Sequence, residues 1–160
     1  MAYGTLAEAR DAIVNSSKES CVYIGCDSVR FKKKIDGKTQ WFARYTTIVV
    51  LHYDGCHGAR LFQNTETIRD FGADDPKKAV RLRMMTEVGY VVQAGLELVD
   101  AIGDRKFEIH LDINNDERHA SHTALKEARG YILGTFGIEP KFKPDAPAAT
   151  HGADHIVRGK

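Results

Sequence analysis

The stretch from Phe107 to Asn114, Phe-Glu-Ile-His-Leu-Asp-Ile-Asn, decides how the rest of the chain is interpreted. Apolar and polar residues alternate along it, which is the pattern of a β-strand with one buried face. The apolar part ends at Asp112, and Asn114-Asn115-Asp116 is typical of a turn. A carboxylate at the end of a buried strand is costly unless a cation meets it. Asp112 is therefore a candidate metal ligand, although the motif alone is also explained by an aspartate that caps the turn.

The composition is that of an ordinary globular protein. The chain has 160 residues, of which 42% are hydrophobic and 28% charged, with a formal net charge of +1. These values predict one domain over residues 1–160, and they neither require nor exclude a nucleic-acid partner. Cys21, Cys26 and Cys56 show no C-x-x-C spacing, which favours a reducing compartment. Without an apolar leader or a membrane-length apolar run, we expect a cytoplasmic protein with no membrane partner.

The first half of the chain predicts one helix and three strands. Thr5-Leu6-Ala7-Glu8 is a capping box that opens a short helix, and residues 1–18 form an accessory segment. Strands rich in β-branched and aromatic residues are expected at 21–34, 39–53 and 59–68. The turn signals between them, above all Asp36-Gly37, predict an antiparallel meander.

The hydrophobic period then changes to that of a helix. Asp74-Asp75-Pro76 marks its start, and we expect it to run to about residue 101. Its core stripe has spacings of four and three residues and comprises Val80, Met84, Glu87, Val91, Ala94 and Leu98. A glutamate on an apolar stripe needs a partner, so Glu87 is the second candidate ligand. The alternatives are a salt bridge to Arg83 one turn earlier and a side chain that reaches the rim of the core.

After the strand at 107–114, we expect a helix at 118–136, a strand at 138–143 and a helix at 148–158. A helix between two strands implies a parallel, right-handed crossover. The order is therefore β-β-β-α-β-α-β-α after the N-terminal helix. It predicts an α/β fold with a mixed five-stranded sheet, three antiparallel strands followed by two parallel ones, and helices on both faces. The last helix carries His151, Asp154 and His155 at helical spacing.

This order of elements, with acids on the first strand, the long helix, the fourth strand and the last helix, resembles the ribonuclease H-like fold. The closer likeness is to the ribonuclease H-like YkuK family. It is carried by Ile24-Gly25-Cys26-Asp27-Ser28, Arg81-Leu82-Arg83-Met84-Met85-Thr86-Glu87, Leu111-Asp112-Ile113-Asn114, and Lys143-Pro144-Asp145-Ala146-Pro147-Ala148-Ala149 leading to Ala153-Asp154-His155. Each stretch is short, and the match rests on all four in this order.

The resemblance implies a metal-dependent nuclease whose ligands are Asp27, Glu87, Asp112 and Asp154. Physical chemistry agrees, because two Mg²⁺ or Mn²⁺ ions about 4 Å apart can clamp the attacking water and the leaving oxygen of a phosphodiester. Such ions prefer carboxylate oxygens as ligands. We therefore expect the four carboxylates to converge, with Glu87 within about 8 Å of Asp112.

Other polar residues near these acids have two interpretations each. His155, beside Asp154, can move protons or help product leave, or it is a polar residue of a terminal helix. The same alternatives apply to His151. Ser28 and Asn114 either orient the carboxylates or are ordinary strand and turn residues.

The Asp36-Gly37 turn lies in a basic hairpin. Between residues 30 and 44 the cations are Arg30, Lys32, Lys33, Lys34, Lys38 and Arg44. With Trp41 among them, these side chains can hold a phosphate backbone and stack bases. Equally, lysines keep an exposed hairpin soluble. A second basic cluster, Lys77, Lys78, Arg81 and Arg83, is interpreted as a solvated helix face.

The leading hypothesis is thus a Mg²⁺- or Mn²⁺-dependent nuclease that cleaves RNA, an RNA–DNA hybrid or structured DNA. One rival is a non-catalytic nucleic-acid- or protein-binding module on the same scaffold, and another is a metal-dependent hydrolase of a small nucleotide. An unpaired edge of the third strand would permit a homodimer.

Overall fold

The computed structural model describes residues 4–55, 57–70, 76–112 and 122–142. The helices and strands within these ranges are, in chain order, α1 (Leu6–Asn15), β1 (Cys21–Ile35), β2 (Lys38–His52), β3 (Ala59–Arg69), α2 (Pro76–Ile102), β4 (Lys106–Leu111), α3 (His122–Phe136) and β5 (Lys141–Phe142). A short 3₁₀ turn at Tyr53–Gly55 follows β2. The helix predicted at 148–158 lies outside the described residues.

The five strands form one mixed sheet in the order β3-β2-β1-β4-β5. β2 pairs antiparallel with both β1 and β3, whereas β4 pairs parallel with β1 and β5. The predicted α/β sheet is therefore confirmed. β5 begins later than the strand predicted at 138–143, at Lys141, because Pro140 has no N–H to donate to the ladder; residues after Phe142 lie outside the described ranges.

One face of the sheet forms the core with the three described helices. The buried residues of this face and of the first two helices include Val22, Ile24 and Cys26 from β1, Ala9 and Ile13 from α1, and Val91, Ala94 and Leu98 from α2. Both α1 and α3 pack against α2, so these helices form one layer. The alternation along β1 and the spacing along α2 thus put apolar side chains where the sequence predicts them. None of the helices in the described ranges is both long enough and apolar enough to span a membrane.

β1 and β2 continue as a hairpin arm, which we define as residues 28–45. Along this arm β1 has left β4, whereas β2 stays paired with β3 as far as Phe42. The pairing of β1 with β2 continues without a break from Cys21↔His52 to Ile35↔Lys38, but β4 ends opposite Cys26. The arm closes at Asp36 and Gly37, whose φ angles are 52° and 78°. Positive φ at both positions is the two-residue hairpin turn that an Asp-Gly pair predicts.

The free edge of β3 is partly covered by the N-terminal segment. The Gly4 amide donates to the Leu61 carbonyl at 3.1 Å, and the Gln63 amide donates to the Gly4 carbonyl at 2.8 Å. These bonds occupy backbone groups that a second chain would need for strand pairing. A homodimer through this edge stays a prediction, restricted to the part of β3 beyond Gln63.

Arg105 joins the C-terminal ends of α1 and α2. Its guanidinium donates to the carbonyl oxygens of Ser16 (2.7 Å) and Ser17 (3.1 Å), which follow α1. It also donates to those of Ala101 (3.1 Å) and Ile102 (3.3 Å) at the end of α2. The last carbonyls of a helix have no partner inside it, and a cation there also interacts favourably with the helix dipole.

We expect Arg105→Ala to lower the free energy of unfolding by about 2 kcal/mol, because several charge-assisted hydrogen bonds are lost together. Arg105→Lys should restore only part of this, since an ammonium cannot reproduce the fork of a guanidinium. Urea unfolding measures both variants. Lys126→Ala, at an exposed position of α3, is the control, and an equal loss in that variant would contradict the prediction.

Candidate active site

A cleft opens where β4 leaves the sheet and β1 continues into the arm. Its volume is about 370 Å³, and the polar residues that line it are Asp27, Ser28 and Arg30 from β1, Arg83 and Glu87 from α2, and Asp112. Three of the four predicted ligands thus line one cavity. The fourth, Asp154, lies outside the described residues, as do Asn114, His151 and His155.

Asp27 and Asp112 are neighbours across the parallel pair of β1 and β4. The last paired residues are Cys26 and Leu111, so the next residue on each chain segment is an aspartate. Neighbouring strands lie about 4.8 Å apart. The register therefore brings these two acids side by side at the point where the sheet splits and the cleft begins.

Glu87 enters the cleft from α2. It is only 8% exposed, although it carries a carboxylate on the core stripe. Its Oε1 accepts a hydrogen bond of 2.5 Å from the Ser28 hydroxyl. The Ser28 amide in turn donates to Asp27 Oδ1 at 2.8 Å. Ser28 therefore orients an acid of the strand and an acid of the helix at once.

The alternation of β1 directs Asp27 away from α2. Cys26 faces the core and Ser28 contacts Glu87, so the residue between them points to the opposite face of the sheet. Asp27 and Glu87 thus approach the cleft from different sides of β1. In the part of the chain that the structure describes, no group of three or more His, Cys, Asp or Glu side chains could by itself hold a metal ion.

The donor chemistry nevertheless fits a hard divalent cation. Carboxylate oxygens are the ligands that Mg²⁺ and Mn²⁺ prefer, and such ions commonly complete their shell with waters and substrate oxygens. The described acids supply part of such a shell, from two sides of one strand. The fourth predicted ligand, Asp154, lies outside the described ranges.

The wall of the cleft next to the arm is cationic. Arg30 Nε donates to Asp70 Oδ2 at 2.5 Å, and Arg83 Nη1 lies 3.8 Å from the same oxygen. The Asp70 side chain is 2% exposed, and its backbone amide donates to the Trp41 carbonyl at 2.9 Å. A buried carboxylate thus holds two guanidinium groups beside the acids.

The interpretation of Arg83 as part of a solvated helix face is wrong. Lys78 and Arg81 are exposed, and Arg81 pairs with Glu127 on α3, but Arg83 lies on the side of α2 that turns toward β1. Sequence reasoning also missed Asp70. It follows the exposed end of β3, and no periodic pattern connects it with the arginines.

The predicted nucleic-acid-binding residues are distributed over both faces of the arm. Arg30 Cζ and Lys32 Nζ lie 4.2 and 4.9 Å from the centroid of the Trp41 ring. On the other face, the rings of Phe31 and Phe42 stack with centroids 5.8 Å apart. The remaining candidates are the exposed lysines Lys33, Lys34 and Lys38.

Other ionisable groups next to the acids are held neutral. Burial raises the pKa of the Cys26 thiol well above its usual range, and the nearby Glu87 and Asp27 carboxylates act in the same direction. Burial also raises the pKa of Tyr45 to about 12. A protonated thiol is neither a nucleophile nor a metal ligand at neutral pH. Cation binding in this cleft would therefore depend on carboxylates.

A protein-family model described as ribonuclease H-like matches residues 6–158. No curated protein and no solved structure matches the chain. The family match covers all the described helices and strands, and it extends over the residues that carry Asp154 and His155. It concerns the ribonuclease H-like family as a whole and does not single out the YkuK likeness.

Proposed function

The chain belongs to the ribonuclease H-like family, and from that premise we propose that it is a divalent-metal-dependent nuclease. Its substrates in this proposal are phosphodiester bonds in RNA, an RNA–DNA hybrid or structured DNA. The observation that carries the proposal is the cleft that Asp27, Glu87 and Asp112 line together beside a cationic arm. We also propose that it is of the YkuK type within this family, on the strength of the four sequence stretches.

In this proposal, Mg²⁺ or Mn²⁺ ions are held by Asp27, Glu87, Asp112 and Asp154. When bound, such ions polarise a phosphodiester and offset the negative charge that develops during attack on phosphorus. The cationic side of the cleft positions the substrate, since guanidinium groups match the oxygens of a phosphate. His155 is proposed to donate a proton to the leaving oxygen or to assist product release.

Ser28 provides a test of how the carboxylates are positioned. We expect Ser28→Ala to lower the cleavage rate by about tenfold to a hundredfold, which is typical for the loss of a group that orients a metal ligand. The Mn²⁺ concentration that gives half-maximal activity should rise, because Glu87 loses its fixed orientation. Ser28→Thr keeps the hydroxyl and should recover most of the activity. Wild-type rates and Mn²⁺ dependence in Ser28→Ala would make Ser28 an ordinary strand residue.

Incubation with Mn²⁺ and a panel of labelled RNA, hybrid and branched DNA tests the proposed function. Cleavage that needs the metal and stops with a chelator supports the nuclease. The second candidate is a non-catalytic nucleic-acid-binding module, and it is supported by the cationic and aromatic side chains of the arm, which can bind nucleic acid without a metal ion. Tight binding by clean protein without any cleavage would establish that module instead.

A further inference from the structure

We propose that the arm binds a single nucleic-acid strand along only one of its two faces, the face that continues toward α2. Arg30 and Arg83 would receive the backbone phosphate at the cleft end of this track. The inference rests on the proposed nuclease function and specifies how its substrate lies. It divides the basic residues of the hairpin into a set that contacts the nucleic-acid backbone and a set that does not.

The pairing of β1 and β2 sorts the arm's side chains by face. Directly opposite residues of an antiparallel pair share a face. Lys32 lies opposite Trp41, and the contacts of both Lys32 and Arg30 with the Trp41 ring put all three on one face. Lys34 is the next residue on this face. It is the face of Ser28, whose hydroxyl contacts Glu87 in the cleft.

The spacing along this face fits a nucleic-acid backbone. Alternate residues of a strand lie about 6.6 Å apart, which is comparable with the distance between successive phosphates of an extended single strand. Arg30, Lys32 and Lys34 therefore present a cation to each of several successive phosphates. A cationic row along one backbone is typical of proteins that bind single strands.

Arg83 anchors the cleft end of this row. Its Nη1 is buried and makes no hydrogen bond within the residues that the structure describes. A buried donor without an acceptor is costly, and a phosphate oxygen in the cleft would satisfy it. Asp70 holds Arg83 beside Arg30, and one carboxylate between two guanidinium groups leaves the trio positively charged.

The opposite face of the arm has different chemistry. Phe31 and Phe42 stack there, and Arg44 lies over the Phe31 ring at 5.1 Å. Lys33 and Lys38 share this face and are exposed. They point away from α2 and lie nearer the tip of the arm than Asp27, and we assign them to keeping an exposed hairpin soluble.

Two double variants with the same change of charge test the proposal. Lys32→Gln with Lys34→Gln removes two cations from the face toward α2 (the α2 face), and Lys33→Gln with Lys38→Gln removes two from the opposite face. Binding of a short labelled oligothymidylate is followed by fluorescence anisotropy at several salt concentrations, with EDTA present to prevent cleavage. The slope of log K against log salt changes by about 0.7 per phosphate contact on a single strand. We expect the double variant of the α2 face to reduce the magnitude of this slope by about 1.4, and the double variant of the opposite face to reduce it by much less.

Arg83→Gln and Arg81→Gln form a second matched comparison on one helix. The Arg83 variant should weaken binding, because it removes the buried donor of the cleft wall. Arg81 is exposed and paired with Glu127, so its variant should weaken binding less. Equal losses in these two variants would overturn the role of Arg83.

Trp41, the only tryptophan, gives an independent readout. It lies on the α2 face, so its fluorescence should change when the oligonucleotide binds to the wild type and to the opposite-face variant. Equal salt slopes for the two double variants, or no change in Trp41 fluorescence, would overturn the proposal that the strand binds along one face. If the wild type still cleaves, the proposed nuclease function would be unaffected by that result. Failure of the wild type to bind any nucleic acid would overturn both proposals.

Discussion

Asp112→Asn is expected to abolish metal-dependent cleavage while the protein stays folded. The substitution keeps the size of the side chain and removes the charge that a divalent ion requires of its ligand. Loss of a group that merely orients a ligand costs about tenfold to a hundredfold, so loss of the ligand itself should cost at least about a hundredfold. Initial rates with Mn²⁺ measure the effect, and circular dichroism reports the fold.

Asp104→Asn is the matched control for this experiment. Asp104 is exposed in the turn before β4, whereas Asp112 follows the end of the same strand. The Asp104→Asn variant should cleave at the wild-type rate. Asp27→Asn should lose as much activity as Asp112→Asn, because the register of β1 and β4 makes the two acids neighbours. A wild-type rate in Asp112→Asn would remove this residue from the site.

Glu87→Leu is expected to eliminate activity and stabilise the fold at the same time. Glu87 is 8% exposed, on a helix stripe whose next member, Val91, is fully buried. Replacing buried ionic groups by apolar side chains of similar volume is often neutral or stabilising. The variant also removes one negative charge from a cleft that holds two further acids. We expect the free energy of unfolding to rise by about 1–2 kcal/mol.

The sign of the change in the free energy of unfolding distinguishes two interpretations of Glu87, a metal ligand and the partner of Arg83 in a salt bridge. If the carboxylate served a buried salt bridge with Arg83, its removal would destabilise the fold by about 3–5 kcal/mol. Urea unfolding distinguishes a gain from such a loss. Added Mn²⁺ should raise the Tm of the wild type, because an ion that binds only the folded state stabilises it. It should not raise that of Glu87→Leu. The control is Glu97→Leu, at an exposed position of the same helix, which should keep the Mn²⁺ effect.

Most elements of the fold follow from local patterns. The sequence predicts β1 at 21–34, and the strand spans Cys21–Ile35; it predicts the long helix to about residue 101, and α2 ends at Ile102. Alternation and helical spacing are visible within a few residues, so they locate such elements well. The start of β5 is placed less well, since it depends on the pairing with β4 more than on the local sequence.

The candidate site is only partly visible in the sequence. Glu87 and Asp112 can be found because a charge at an apolar position contradicts its surroundings. Arg83 and Asp70 cannot, because their positions have meaning only once β1, the end of β3 and α2 meet in the fold. A helix side is solvated or lines a cleft according to what packs beside it, and periodicity does not identify that neighbour.

The unbroken pairing of β1 and β2 limits how the arm can change in evolution or by design. Inserting a single residue into a strand turns every later side chain to the other face. One extra residue between Asp27 and Arg30 would therefore turn Arg30, Lys32 and Lys34 away from α2 and bring Phe31 and Lys33 toward it. Insertions and deletions at the base of the arm should be tolerated only in units of two residues on each strand. The reach of the arm can vary, but only in steps of a full pleat.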